Sequence, residues 1–299
     1  MGKIAFVFSG QGDQFSGMGK DLAEKYPAAK AVFDMCDSIR PNTSAQCFEG
    51  TEEELKETRN TQPCLFAMEL AAASILKAKG INPDAVAGFS LGEVVAATVA
   101  GVFDAETGFK LVCRRGELMQ REAEKFDTSM AAVVKLTEEQ VKEACGKYPE
   151  VYPVNYNCPG QITVSGLSAQ MPAFFAEIKA AGGRAIPLKV KGAFHSPFMN
   201  KAAEDFEKEL EGAEIHKMSI PLYSNMTAEP YTDDVTGLLS KQICNPVRWE
   251  RLIRNMIDVG VDSFIEIGPG KTLTNMIKKI SADVTALSIT DYLAEVEKC

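Results

Sequence analysis

The chain has 299 residues, 45% of them hydrophobic, which is enough for one large domain or two unequal ones with substantial cores. Its 32 basic and 41 acidic residues give a net charge of −9, and no basic run marks a nucleic-acid footprint. Eight cysteines without a Cys-x-x-Cys pair, and only two histidines, argue against a zinc site or a disulfide framework.

Residues 3–8 read as a buried strand that starts the chain with no signal-peptide layout and runs into the turn-rich Ser9-Gly10-Gln11-Gly12-Asp13-Gln14. Helices are expected over Met18–Ile39 and over Cys64–Ala78, the second apolar all round as a core helix is. Ala85-Val86-Ala87 then leads through Gly88-Phe89-Ser90-Leu91-Gly92 into a helical segment from Glu93 to Ala100. A further helix, Thr107–Lys125, carries Leu111, Arg115 and Leu118 at three- and four-residue spacing.

From Ser129 the pattern tightens into strand Met130–Leu136, helix Thr137–Lys147, strands Val151–Tyr156 and Gln161–Ser165, helix Ser168–Ala181 and strand Arg184–Val190. That βαββαβ order is ferredoxin-like, and larger α/β segments bracket it on both sides. The expected domains are therefore 1–124 with 192–299 as one large α/β unit, and 125–191 as an inserted small one. Beyond it come a helix from Pro197 to Glu211, a short strand at Ile220–Tyr223, a helix including Leu238–Ile243, and a strand Ser263–Ile267. This last strand turns through Gly268-Pro269-Gly270 into a helix near Thr272. Strands alternating with helices imply a mostly parallel sheet covered on both faces, with sites at the carboxyl ends of its strands. No stretch is long and apolar enough to cross a bilayer, so a soluble cytoplasmic protein is expected.

Gly88-Phe89-Ser90-Leu91-Gly92 has the context of a nucleophile elbow, in which flanking glycines let backbone pass beneath a serine on a sharp strand-to-helix turn. The following helix N-terminus offers free N–H groups where an oxyanion would develop. A nucleophilic serine needs a base. His195, in the loop Gly192–Pro197 where the chain re-enters the large unit, is better placed than His216 beside its charged neighbours. No acidic residue stands in a recognisable turn as a third partner, and a backbone carbonyl can orient an imidazole instead. Arg115 can return to the elbow from the next helix and clamp a carboxylate, or remain a helix-surface arginine paired with Glu117. Two phosphate-loop readings fail: Ile265 stands where Gly270-Lys271-Thr272 needs its first glycine, and Asp21 follows Gly19-Lys20.

These segments resemble a family, the malonyl-coenzyme A:acyl carrier protein transacylases and the acyltransferase domains of fatty acid and polyketide synthases. The likeness runs from Phe8-Ser9-Gly10-Gln11-Gly12 through Gly88–Glu93, Arg115-Gly116, Asn155–Gln161, Gly192–Ser196 and Gln242–Trp249 to Ile267–Gly270. The resemblance implies an α/β-hydrolase-like domain interrupted by a ferredoxin-like insert. It implies ping-pong acyl transfer from malonyl-coenzyme A to the phosphopantetheine thiol of an acyl carrier protein, with no bound cofactor or metal. Ser90 becomes the acylated nucleophile, His195 the general acid/base, Arg115 the carboxylate clamp and Gln242 the carbonyl that orients His195. The amides of Gln11 and Leu91 become the oxyanion donors, and Phe194 resembles the malonyl-preferring members. Phe89 stands where many members have histidine, and Cys158 where serine is frequent. A serine thioester hydrolase, or a trans-acting polyketide acyltransferase of other acyl selectivity, shares the same groups. Lys189 and Lys191, close before His195, are the expected contacts for an acidic carrier; oligomeric state is left open.

Overall fold

The computed structural model describes residues 2–297. Among the described residues nine strands form two sheets: β1 (Lys3–Phe8), β2 (Ala85–Gly88), β3 (Thr128–Val134), β4 (Val151–Cys158), β5 (Gln161–Leu167), β6 (Arg184–Lys191), β7 (Leu222–Tyr223), β8 (Val261–Ile267) and β9 (Thr285–Ser288). The first sheet runs in the order β7-β2-β1-β8-β9 with every pairing parallel. The second runs β4-β5-β3-β6 with every pairing antiparallel, the ferredoxin-like order for βαββαβ.

Alternation along β1 explains why the parallel sheet is covered on both sides. Phe6 and Phe8 enter one buried cluster, with the helix Thr58–Ala78 and the helix Ala105–Ala123. Ala5 and Val7 enter the opposite one, with Trp249, Leu252 and Ile277. Successive side chains of a strand face opposite ways, so one strand feeds two cores. The antiparallel sheet has a third core of its own, built on Val133, Val164, Phe174 and Ile178. It is stitched to the rest through β4. Tyr156 N–H donates to the Val247 carbonyl at 2.8 Å, and Val247 N–H donates to the Val154 carbonyl at 2.9 Å.

Several expected elements are corrected. The segment Met18–Ile39 is two helices, Lys20–Lys25 and Pro27–Ile39, because Pro27 forces Tyr26 into extended backbone at φ −122°, ψ 116°. The core helix begins at Thr58 rather than Cys64, with Pro63 inside it. The helix after the elbow's own spans Ala105–Ala123, where Asp104 caps it by accepting from Thr107 N–H at 2.7 Å. β3 ends at Val134, not Leu136, since Lys135 turns to φ 70°. Helices Thr43–Glu49 and Glu52–Lys56, strand β9 and the helix Ile289–Val296 are additions to the expected elements. Pro197–Met199 and Gln242–Cys244 are short 3-10 turns, not parts of the neighbouring α-helices.

Candidate active site

The elbow sits at the carboxyl end of β2, where Gly88 leads through Phe89 and Ser90 into the helix Gly92–Val99. The two glycines are required by contact. A Cβ on Gly88 would lie 1.9 Å from the Gly92 carbonyl carbon, and one on Gly92 would lie 2.4 Å from the Phe8 carbonyl oxygen of β1. Ser90 itself takes φ 55°, a left-handed conformation that side chains avoid. Asn225 clasps the turn: its Oδ1 accepts from Ser90 N–H at 2.7 Å, and its Nδ2 donates to the Gly88 carbonyl at 2.6 Å.

Three of the residues singled out from sequence meet at one oxygen, and a fourth anchors the imidazole behind it. Ser90 Oγ lies 2.8 Å from His195 Nε2, and Arg115 Nη2 donates to it at 3.3 Å. His195 Nδ1 lies 2.9 Å from the backbone carbonyl of Gln242. That carbonyl can only accept, so Nδ1 carries the proton and Nε2 is left as the acceptor facing serine. Arg115 is 0% exposed, so the reading of a surface arginine paired with Glu117 is wrong; Arg114 makes that pair. The Arg115 guanidinium also donates to Gln62 Oε1 and to Gln242 Oε1, both at 2.8 Å. Its Nε–H is buried with no partner. Gln11, Leu91 and Phe194 line the same small cavity of about 80 Å³ with Ser90 and His195. His216 is remote from it, with its backbone bonded to Val102 and its side chain about half exposed.

Sequence reading gave no role to four residues that hold this arrangement. Glu93, fully buried, receives the Tyr231 hydroxyl, Gln242 Nε2 at 2.9 Å and the Asn225 N–H at 3.2 Å. Gln242 Nε2 also reaches the Ser90 carbonyl at 2.7 Å, tying the imidazole's anchor to the elbow. Gln62, Asn225 and Tyr231 complete the shell. Only Glu93 carried a signal, through its place directly after the elbow's second glycine; the others converge from distant segments.

Burial sets the charges. It pushes the His195 imidazole down to about 4, helped by the neighbouring Arg115 cation. It holds the Glu93 carboxyl up at about 7 against the hydrogen bonds from Tyr231 and Gln242. It draws Arg115 down to about 10, which still leaves a cation at neutral pH. The site thus presents a neutral imidazole as base and a buried fixed positive charge. Among the described residues no group of three His, Cys, Asp or Glu could hold a metal ion. Nor is any helix among them long and apolar enough to cross a membrane.

Residues 5–293 match the family described as "Acyl transferase domain". A malonyl CoA-acyl carrier protein transacylase of Bacillus subtilis is 40% identical over 300 residues, spanning 97% of this chain and 94% of the relative. The transacylase of Clostridium perfringens superposes with a TM-score of 0.94 at 36% identity, over 99% of this chain and 98% of that one. A malonyl-transacylase solved in complex with its type II polyketide acyl-carrier protein superposes at 0.95 and 33% identity, over 99% of this chain and all of that one. Matched over nearly its whole length in sequence and in backbone, the chain belongs to the acyl transferase domain family that these transacylases represent.

Proposed function

We propose that this chain moves a malonyl group from coenzyme A to the phosphopantetheine thiol of an acyl carrier protein, through an ester on Ser90. One observation carries the reading: Ser90 Oγ has the accepting nitrogen of His195 at 2.8 Å and the Arg115 guanidinium at 3.3 Å. A base and a carboxylate clamp on the same oxygen suit an acyl group that ends in a carboxylate. The orphaned Arg115 Nε–H supports it further, since a buried donor without a partner costs about 1–3 kcal/mol until something accepts from it.

His195 Nε2 takes the Ser90 proton as Oγ attacks the thioester carbonyl. The oxyanion forms against the Gln11 and Leu91 N–H groups, the C–S bond breaks, and the imidazolium returns its proton to the departing thiolate. The carrier's thiol then gives its proton to His195 and attacks the malonyl ester; Ser90 leaves and is reprotonated. Arg115 holds the malonyl carboxylate throughout, and Phe194 closes the acyl end of the cavity. The separate core of the antiparallel sheet supports reading 125–191 as an insert in a unit of 1–124 and 192–299. Seven free cysteines among the described residues support a reducing, cytoplasmic location.

Intact-mass analysis tests the reading directly. Brief exposure to malonyl-, methylmalonyl- and acetyl-coenzyme A should load malonyl most heavily, on wild type and not on Ser90→Ala. Added holo carrier protein should then discharge it to the carrier. Thiol release at the same rate with or without carrier would make the chain a hydrolase.

A further inference from the structure

The core helix Thr58–Ala78, expected to be apolar all round over its later turns, carries one buried acid that the acyl-transfer chemistry does not use. Glu69 is 0% exposed, and its Oε1 accepts from the Ser9 hydroxyl at 2.5 Å. Its other oxygen, Oε2, is buried with no partner among the described residues. Burial above all holds this carboxyl well above the usual carboxylate range, against the Ser9 bond, and the nearby Asp13 and Glu266 carboxyls push the same way. Glu69 is therefore a neutral acid in the core. An apolar side chain at that place would leave no polar oxygen unpaired, so the acid needs a reason beyond packing.

The reason lies in where Ser9 stands. It is the residue at which β1 becomes the loop that carries Gln11. Its N–H donates to the Ile267 carbonyl of β8 at 3.3 Å, and a Cβ on Gly92 would lie 2.5 Å from its carbonyl oxygen, so Ser9 is wedged directly against the elbow. The turn after β8 closes over the pair: a Cβ on Gly268 would lie 2.4 Å from Ser9 Oγ, so only glycine there leaves room for the bond to Glu69. The same helix grips the loop a second time, where Gln11 Nε2 donates to Thr58 Oγ1 at 3.3 Å. Between these two grips Gln62 accepts from Arg115 at 2.8 Å. Thr58, Gln62 and Glu69 stand four and then seven residues apart, which puts them on one stripe of the helix. The far end of the loop is pinned from elsewhere, by Asp13 Oδ1 accepting from the Thr272 hydroxyl at 2.5 Å.

Resting on the reading that the Gln11 N–H receives the oxyanion, we propose that Glu69 is a positioning residue for that donor: through Ser9 it fixes the loop against the elbow. A donor already in place stabilises charge as it develops and adds little to the binding of the substrate. Glu69 thus acts on the rate of both half-reactions, since each passes through an oxyanion on the same carbonyl. It is indifferent to whether the acyl group ends in a carboxylate. One helix stripe therefore registers two devices against each other, the clamp through Gln62 and the oxyanion donor through Thr58 and Glu69.

Three variants of the full chain test this. Glu69→Gln keeps the shape and a hydrogen-bonding end, Glu69→Met keeps the length without one, and Ser9→Ala removes the partner with the smallest change in volume. Single-turnover acylation of Ser90 by malonyl- and by acetyl-coenzyme A, and discharge of malonyl-Ser90 to holo carrier, are followed by intact mass, with the melting temperature measured beside them. Glu69→Met and Ser9→Ala should each lose about tenfold in the maximal rate of all three reactions, a part of the roughly 10²–10³ that removing an oxyanion donor outright costs. The half-saturating concentrations should not change. Glu69→Gln should stay within about twofold of wild type, because a carboxamide can still bond the Ser9 hydroxyl. If Glu69→Met does not fold, Ser9→Ala decides by the same readings. Wild-type rates in Ser9→Ala, a loss confined to malonyl or to one half-reaction, weaker half-saturation at an unchanged maximal rate, or a Glu69→Gln as slow as Glu69→Met would overturn the proposal. A wild-type chain that malonyl-coenzyme A does not acylate at Ser90 would overturn the transferase reading instead.

Discussion

Ser90 and His195 both hold left-handed backbone, at φ 55° and 61°, and each such residue costs about 1–3 kcal/mol that surrounding contacts must over-determine. Asn225 does this for Ser90, and the Gln242 carbonyl fixes the imidazole that the strained His195 backbone presents. The same closeness governs basicity. Burial first, and the Arg115 cation second, favour neutral His195, so the imidazole stays a base until the pH falls towards 4. The acid limb of kcat/KM should therefore lie well below the ordinary histidine value of 6.5. Arg115→Ala removes one of the two depressing causes, so its limb should move to higher pH. A wild-type limb at or above 6.5, or a variant limb that moves down, contradicts this account. The substitution should also separate substrates: losing two charge-assisted bonds to the malonyl carboxylate should cost malonyl transfer about 10²-fold or more, while acetyl transfer falls less or rises. Parallel malonyl and acetyl assays on the variant check it, and equal losses would remove the clamp.

At the scale of elements, the elbow is a contact between β1 and the helix Gly92–Val99 as much as a turn. Gly92→Ala would drive a methyl to 2.4 Å from the Phe8 carbonyl oxygen, at the buried end of a strand that pairs on both edges. Overpacking against backbone that cannot give should lower stability by about 3 kcal/mol and displace Ser90. Urea unfolding measures this, and a wild-type midpoint would show that the helix can slide. This part of the fold was legible because glycine spacing, an apolar run before it and a helix after it are all local in sequence. The inward turn of Arg115 was not: its helix periodicity allows either a surface or a cleft position, and packing of Ala105–Ala123 on Thr58–Ala78 decides. Asn225, Gln62 and Tyr231 left no local trace, since a buried polar residue and a solvated one look alike in sequence. β9 is only four residues long, and Pro63 disguised the true start of its helix.

For the molecule as a whole, the active cavity is walled by two sheets that are built separately. Ser90 and Gln11 come from the ends of the parallel sheet, whereas Met130, Asn155, Leu188 and Val190 come from the antiparallel one. Ser129 of β3 pairs with Lys191 of β6, so the two ends of the proposed insert lie at neighbouring points. Neighbouring ends let an inserted unit close without stretching the chain, and its own core does not depend on Phe6 or Trp249. What it loses on excision includes the β4 bonds to Val247, the packing of β4 on the helices Trp249–Asp258 and Thr272–Ile280, and the cover over Met130, Val154 and Cys158, which belong to the larger unit's buried clusters. Residues 125–191 expressed alone should therefore fold, with the marginal stability of so small a domain. Cooperative thermal unfolding followed by circular dichroism is the check, and a non-cooperative melt would mean that β4 needs the large unit to hold its place. The matching large unit, with residues 125–191 replaced by a short glycine linker, should keep its parallel sheet but lose the wall that Asn155 and Leu188 supply. Its Ser90 would then be open to water, and any malonyl ester formed should hydrolyse faster than in the intact chain.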